Sequence, residues 1–161
     1  MTSLAIAFAA SLRLLGAADL PAWDWNAAVV PVRPVDPPLS STQHRTTLYI
    51  YFSPECSHCT DAWPKVVELA KRTRATGLEV GGIATYATTR PEITMFLEAL
   101  GEELPVWFDS THAVAKPYTI KTVPQAILVE PDGHVQMFDE LTDARLSQVE
   151  AIARRTARAR R

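Results

Sequence analysis

A chain of 161 residues, 47% of them hydrophobic, can bury one core and is too short for two comfortable domains, so a single domain is expected. The formal net charge of −2 gives no bias toward nucleic acid. The only two cysteines stand three residues apart, which leaves none for structural disulfides elsewhere and fits reducing and oxidising compartments alike.

Residues 4–15 form an apolar run interrupted by Arg13 and ending at Gly16-Ala17-Ala18, small residues suited to signal-peptidase cleavage. The usual basic residues are missing from Met1-Thr2-Ser3. The run is shorter than the roughly 20 residues that cross a bilayer. Residues 1–18 read as a signal or membrane-tether segment, or else as a short amphipathic helix packed on the domain. Residues 19–46 are a proline-rich lead-in. Trp23 and Trp25 make an aromatic packing anchor, while Pro31, Pro34, Pro37 and Pro38 exclude a helix and favour extended geometry. The valines between those prolines suit an edge strand.

The domain proper spans 47–161. Its first strand, 48–52, is apolar and ends at Ser53-Pro54, because proline pushes the preceding residue out of helical geometry. Cys56-Ser57-His58-Cys59 then opens a helix. Unpaired N–H groups and partial positive charge at a helix N-terminus stabilise a thiolate relative to a thiol. Thiols three apart on a helical turn lie within about 5–6 Å, close enough to form a disulfide. This makes Cys56 the exposed attacker and Cys59 the resolver one turn in. His58, when protonated, would favour a thiolate on Cys56 and Glu55 would oppose it; alternatively His58 is simply solvated.

A structural disulfide closing so short a loop would remove little unfolded-state entropy. A zinc site lacks a second cysteine pair, and His44, His112 and His134 show no ligand spacing. No metal and no organic cofactor is implied.

Trp63, Val66, Val67, Leu69 and Ala70 give the helix after the cysteines an apolar face up to Gly77. A second strand follows over 78–85, where Gly81 and Gly82 suggest close backbone approach. Thr89-Arg90-Pro91-Glu92 starts another helix, with Ile93, Phe96, Leu97 and Leu100 as its buried stripe and Gly101 as its stop. A short strand is expected over 105–108, and a brief helix capped by Asp109-Ser110-Thr111 before Pro117. Strands at 126–129 and 135–138 flank Pro131-Asp132-Gly133 as a hairpin. A terminal helix from Thr142 buries Leu146, Val149 and Ile152, and its closing arginines complement the helix dipole.

The strand, the Cys-Ser-His-Cys turn and the helix interrupted by Pro64 resemble the thioredoxin superfamily. Thr122-Val123-Pro124, ahead of an apolar strand, resembles that family's cis-proline loop. With a strand–helix insertion between the two motifs, the chain is most similar to the TlpA-like branch of exported thiol–disulfide oxidoreductases. The resemblance covers about residues 40–155. It implies an α/β thioredoxin-like fold, a mixed central β-sheet with helices on both faces, and a dithiol enzyme acting on protein disulfides. Cytochrome c maturation substrates and a membrane electron-donor protein are the implied partners. Thr122, Val123 and Pro124 become substrate-contact candidates. The implied location is the periplasm, free or membrane-tethered through the N-terminus, with the cytoplasm as the alternative.

The chain departs from the family at two places. Glu55 stands where tryptophan commonly precedes the first cysteine, and Ile50 stands where thioredoxin buries an acid. These departures support the rival reading of a non-catalytic metal chaperone or complex-assembly factor. A peroxidase reading is weaker, since Pro54 and Cys56 alone do not supply the threonine and arginine setting a peroxide needs.

Overall fold

The computed structural model describes residues 33–34, 45–101 and 104–159. The expectations for 1–18, for Trp23 and Trp25, for His44 and for the last two arginines lie outside them. Six strands form one mixed sheet in the order β1-β4-β3-β2-β5-β6. They are β1 (Arg33–Pro34), β2 (Thr46–Phe52), β3 (Leu78–Ala84), β4 (Val106–Phe108), β5 (Gln125–Val129) and β6 (Val135–Phe138). The first four are mutually parallel where they pair, and β5 and β6 run antiparallel. The edge strand expected from the lead-in is β1, whose Pro34 is tolerated because an edge leaves one row of backbone groups unpaired.

β2 is central, bonded to β3 on one side and β5 on the other, and all seven of its residues are buried. Burial on both faces explains its nearly continuous apolar and β-branched run. Helix α1 (Ser57–Thr73) follows it directly, then a 3₁₀ turn (Arg74–Thr76) closed by left-handed Gly77. Helix α2 (Arg90–Leu100) starts in a capping box: the Thr89 side chain accepts from the Glu92 N–H, and Glu92 Oε2 accepts from the Thr89 N–H at 2.7 Å. The Thr89 hydroxyl, the Thr89 N–H and the Thr88 hydroxyl all donate to Glu92 Oε2 and together hold its carboxyl below the usual carboxylate range. Helix α3 (Asp143–Arg158) is capped by Thr142.

Each face of the sheet has its own cluster. Leu48, Ile50 and Phe52 point to one face, where they meet apolar residues of α1, α2 and α3. Tyr49 and Tyr51 point to the other, with Ile83, Trp107, Ile127 and Val129. Among the described residues, all three α-helices contribute to the first cluster. The second face is covered by turns over 110–119, so the expected brief helix after Asp109 does not form. Asp109 explains the difference. Its buried carboxylate accepts from the N–H groups of Val114 and Ala115 at 3.1 and 2.9 Å, five and six residues on, which folds the segment back over Asp109 instead of starting a regular helix.

Candidate functional site

The thiols sit where β2 hands over to α1. Cys56 is extended (φ −86°, ψ 113°) and is the N-cap of α1, with its Sγ accepting from the Cys59 N–H at 3.4 Å. Its own N–H donates to Ser53 O at 3.1 Å, which fixes the turn left by Pro54. The expected helix start is therefore met, with the cap formed by the sulfur itself.

Aromatic packing holds α1 against the sheet. Trp63, one turn beyond Cys59, lies against Phe52 at 4.7 Å and Phe96 at 5.3 Å between ring centroids. It crosses β3 at Gly82, where a Cβ would stand 2.6 Å from the indole. Glycine at that position lets the helix, and so the thiols, settle close to the strand ends.

The two cysteines have different surroundings. Cys56 is half-buried, whereas Cys59 is 1% exposed within the helix-side core. Burial, and then the hydrogen bond with the Cys56 side chain, push the Cys59 thiol up to about 12, against a smaller lowering by the Ser53 backbone. No carboxylate is among these causes, and Ile50 is buried in the same cluster. The two described acids that are fully buried lie elsewhere. Glu79 is beside Thr47 at the far end of β3, 3.8 Å from Arg45, and Asp109 is under the opposite face.

The Val123–Pro124 peptide is cis, as expected from the resemblance. The Cys56 thiol donates to Val123 O at 3.6 Å, joining two motifs 67 residues apart. Val123 and Pro124 also line an open cleft of about 480 Å³ with His58, Asp61, Ala62 and Lys65 of α1, and with residues 139–142 between β6 and α3. Of the residues singled out in the sequence, Cys56, Cys59, His58, Val123 and Pro124 are thus brought together. Thr122 and Glu55 are exposed and stand outside the cleft lining.

Sequence reasoning missed two features. One is the wall formed by Asp139, Glu140 and Leu141, for which the acidic pair between hairpin and capped helix was the available signal. The other is the buried hydrogen bond from Tyr51 OH to Asp109 Oδ2 at 3.0 Å. Burial first, and then Asp109, hold the Tyr51 phenol well above its ordinary range.

The AhpC/TSA family profile matches residues 38–138, more than half of the chain. The chain belongs to the AhpC/TSA family. No curated protein matches the sequence. Solved structures share the thioredoxin-like fold at low identity. A secreted Mycobacterium tuberculosis disulfide oxidoreductase homologous to E. coli DsbE is 17% identical over 68% of this chain and 83% of its own, with a TM-score of 0.60. The thioredoxin domain of a Bacteroides vulgatus thiol-disulfide oxidoreductase is 18% identical over 69% and 81%, with a TM-score of 0.63. StoA of Bacillus subtilis is 15% identical over 68% and 83%, with a TM-score of 0.60.

Proposed function

We propose that this protein is a thiol–disulfide oxidoreductase that reduces disulfides of exported proteins with Cys56 and Cys59. The observation that carries the reading is the unequal pair: a half-buried sulfur at a helix N-terminus facing the Val123 carbonyl, and a buried thiol one turn behind it. In the forward reaction the Cys56 thiolate attacks one sulfur of the partner's disulfide. A mixed disulfide forms, and the first partner thiolate leaves and takes a proton. Cys59 then loses its proton and attacks Cys56 Sγ, releasing the second partner thiolate and leaving Cys56–Cys59 oxidised by two electrons. A dithiol donor, which we assign to a membrane electron-donor protein, must reduce the pair again.

The partner's chain would run as an added strand past Val123 and Pro124. The M. tuberculosis disulfide oxidoreductase and the B. vulgatus thiol-disulfide oxidoreductase support the redox chemistry, and the secreted M. tuberculosis protein supports export. A TlpA-like role, with cytochrome c maturation proteins among the substrates, rests on the sequence resemblance. Among the described residues no helix is long and apolar enough to cross a membrane. Tethering through residues 1–18 rests on the sequence reading.

The test is covalent trapping. Cys59→Ser should accumulate a mixed disulfide with a disulfide-bonded protein substrate, visible on non-reducing gels and reversed by dithiothreitol, whereas Cys56→Ser should form none. Absence of any adduct with Cys59→Ser contradicts the mechanism.

A further inference from the structure

The cleft beside the dithiol has a marked charge imbalance. Its floor is apolar, made by Ala62, Val123, Pro124 and Leu141, and its walls carry Asp61 from the outer face of α1 and Asp139 and Glu140 from the β6–α3 loop. All three carboxylates are exposed, and among the described residues none makes an ion pair within the cleft. Asp139 is held in place by Gln125 Nε2, which donates to its Oδ1 at 2.8 Å. The lining's one lysine, Lys65, pairs with Asp143 at 3.0 Å, and His58 also lines the cleft. The carboxylates come from two separate elements and face a common space, and that space adjoins the Cys56 nucleophile through Val123.

We infer that this cleft selects disulfide substrates whose cysteine is flanked by lysine or arginine. The inference rests on the oxidoreductase reading above and specifies its substrate class. A polypeptide whose disulfide sulfur meets Cys56 passes the Val123 carbonyl and lies over the apolar floor. Its side chains next to the cysteine then reach the carboxylate walls. Glu55, exposed beside Cys56, adds charge of the same sign on the approach. Basic flanks gain attraction during encounter and in the bound state, and acidic flanks are repelled. The covalent step is unchanged: one Cys56–substrate disulfide forms and the thiolate of the substrate's broken disulfide leaves.

The test uses two extended peptides, each with one cysteine blocked as a thionitrobenzoate mixed disulfide, flanked by two lysines in one and two glutamates in the other. The reduced full-length protein is the reductant, and release of thionitrobenzoate gives a second-order rate constant. Each constant is divided by that for dithiothreitol, which also attacks as a thiolate, so the ratio removes the peptide's intrinsic reactivity together with its general attraction for a thiolate. The expected result is a normalised preference of about tenfold for the lysine peptide at low salt. The preference should fall toward unity in about 1 M salt, where the screening length is about 3 Å, and in the triple variant Asp61→Asn, Asp139→Asn, Glu140→Gln. Equal normalised rates, a preference for glutamate, or a preference that survives the triple variant overturns the inference while leaving the redox reading intact. No release from either peptide overturns the oxidoreductase reading itself, and this inference with it.

Discussion

The two faces of the sheet are closed by different means. On the helix side, Trp63, Phe52, Phe96 and aliphatic residues of three helices interlock, so the closure is apolar and shared among many contacts. On the other side, turns over 110–119 lie on Tyr49, Ile83 and Trp107, and their backbone is tied down through one carboxylate, Asp109. The thiols belong to the first face and the segment leading to Val123–Pro124 to the second. The site is therefore assembled where a helical apolar closure meets one built of turns, in which the packing of Val114, Ala115, Tyr118 and Ile120 is joined by the buried Asp109 carboxylate.

The largest loss is expected at the apolar centre of the helix face. Trp63→Ala should cost about 3–5 kcal/mol, measured by urea unfolding of the reduced protein, because it removes an aromatic from a close-packed site against Gly82. A loss below about 1 kcal/mol would mean that the face is not packed as described. Asp109→Ala should cost less globally, about 2–3 kcal/mol, since it leaves Tyr51 OH and two buried N–H groups without their acceptor. Its effect should be regional. Hydrogen exchange should accelerate over 110–122 while α1 stays protected, and equal acceleration in α1 would erase the distinction between the faces. Tyr51→Phe should cost about 1 kcal/mol by the same unfolding assay, having removed one hydrogen bond and left the carboxylate its two amides.

The last prediction concerns a change with pH and comes from Cys59, which is buried in the helix-side core. Its thiol is raised in the folded protein, to about 12 from the ordinary 9.0. The folded state therefore holds that proton more tightly, and the resulting stabilisation is fully present below about pH 9. It is lost as pH rises through the interval up to about 12. The reduced wild type should lose stability over that interval relative to Cys59→Ala, whose curve should lack this component. Parallel curves would contradict the burial of the thiol.

The helix face was legible in the sequence because its rules are periodic. The stripe of Trp63, Val66, Val67 and Ala70 and the punctuation by Pro54, Gly77, Thr89 and Gly101 each carry a local physical reason. The cis Val123–Pro124 bond was accessible through the family resemblance, since the residues alone favour trans. The second face was not legible. Asp109-Ser110-Thr111 before an apolar pair has the form of a helix cap, and nothing local shows that Asp109 will instead accept from Tyr51, 58 positions earlier. The acidic cleft wall escaped for a similar reason. Asp61 and Glu140 are unremarkable surface residues until α1 and the β6–α3 loop bring them to one space.

The central claim, that Cys56 and Cys59 form a redox couple working in the reducing direction, is tested most directly by equilibrating the protein with defined ratios of reduced to oxidised glutathione. The fraction of free thiols is then counted after acid quenching. The account predicts one two-electron transition near thioredoxin's value of about −270 mV, lost in either single cysteine variant. A protein that never closes the disulfide, or a transition near about −120 mV, would contradict it.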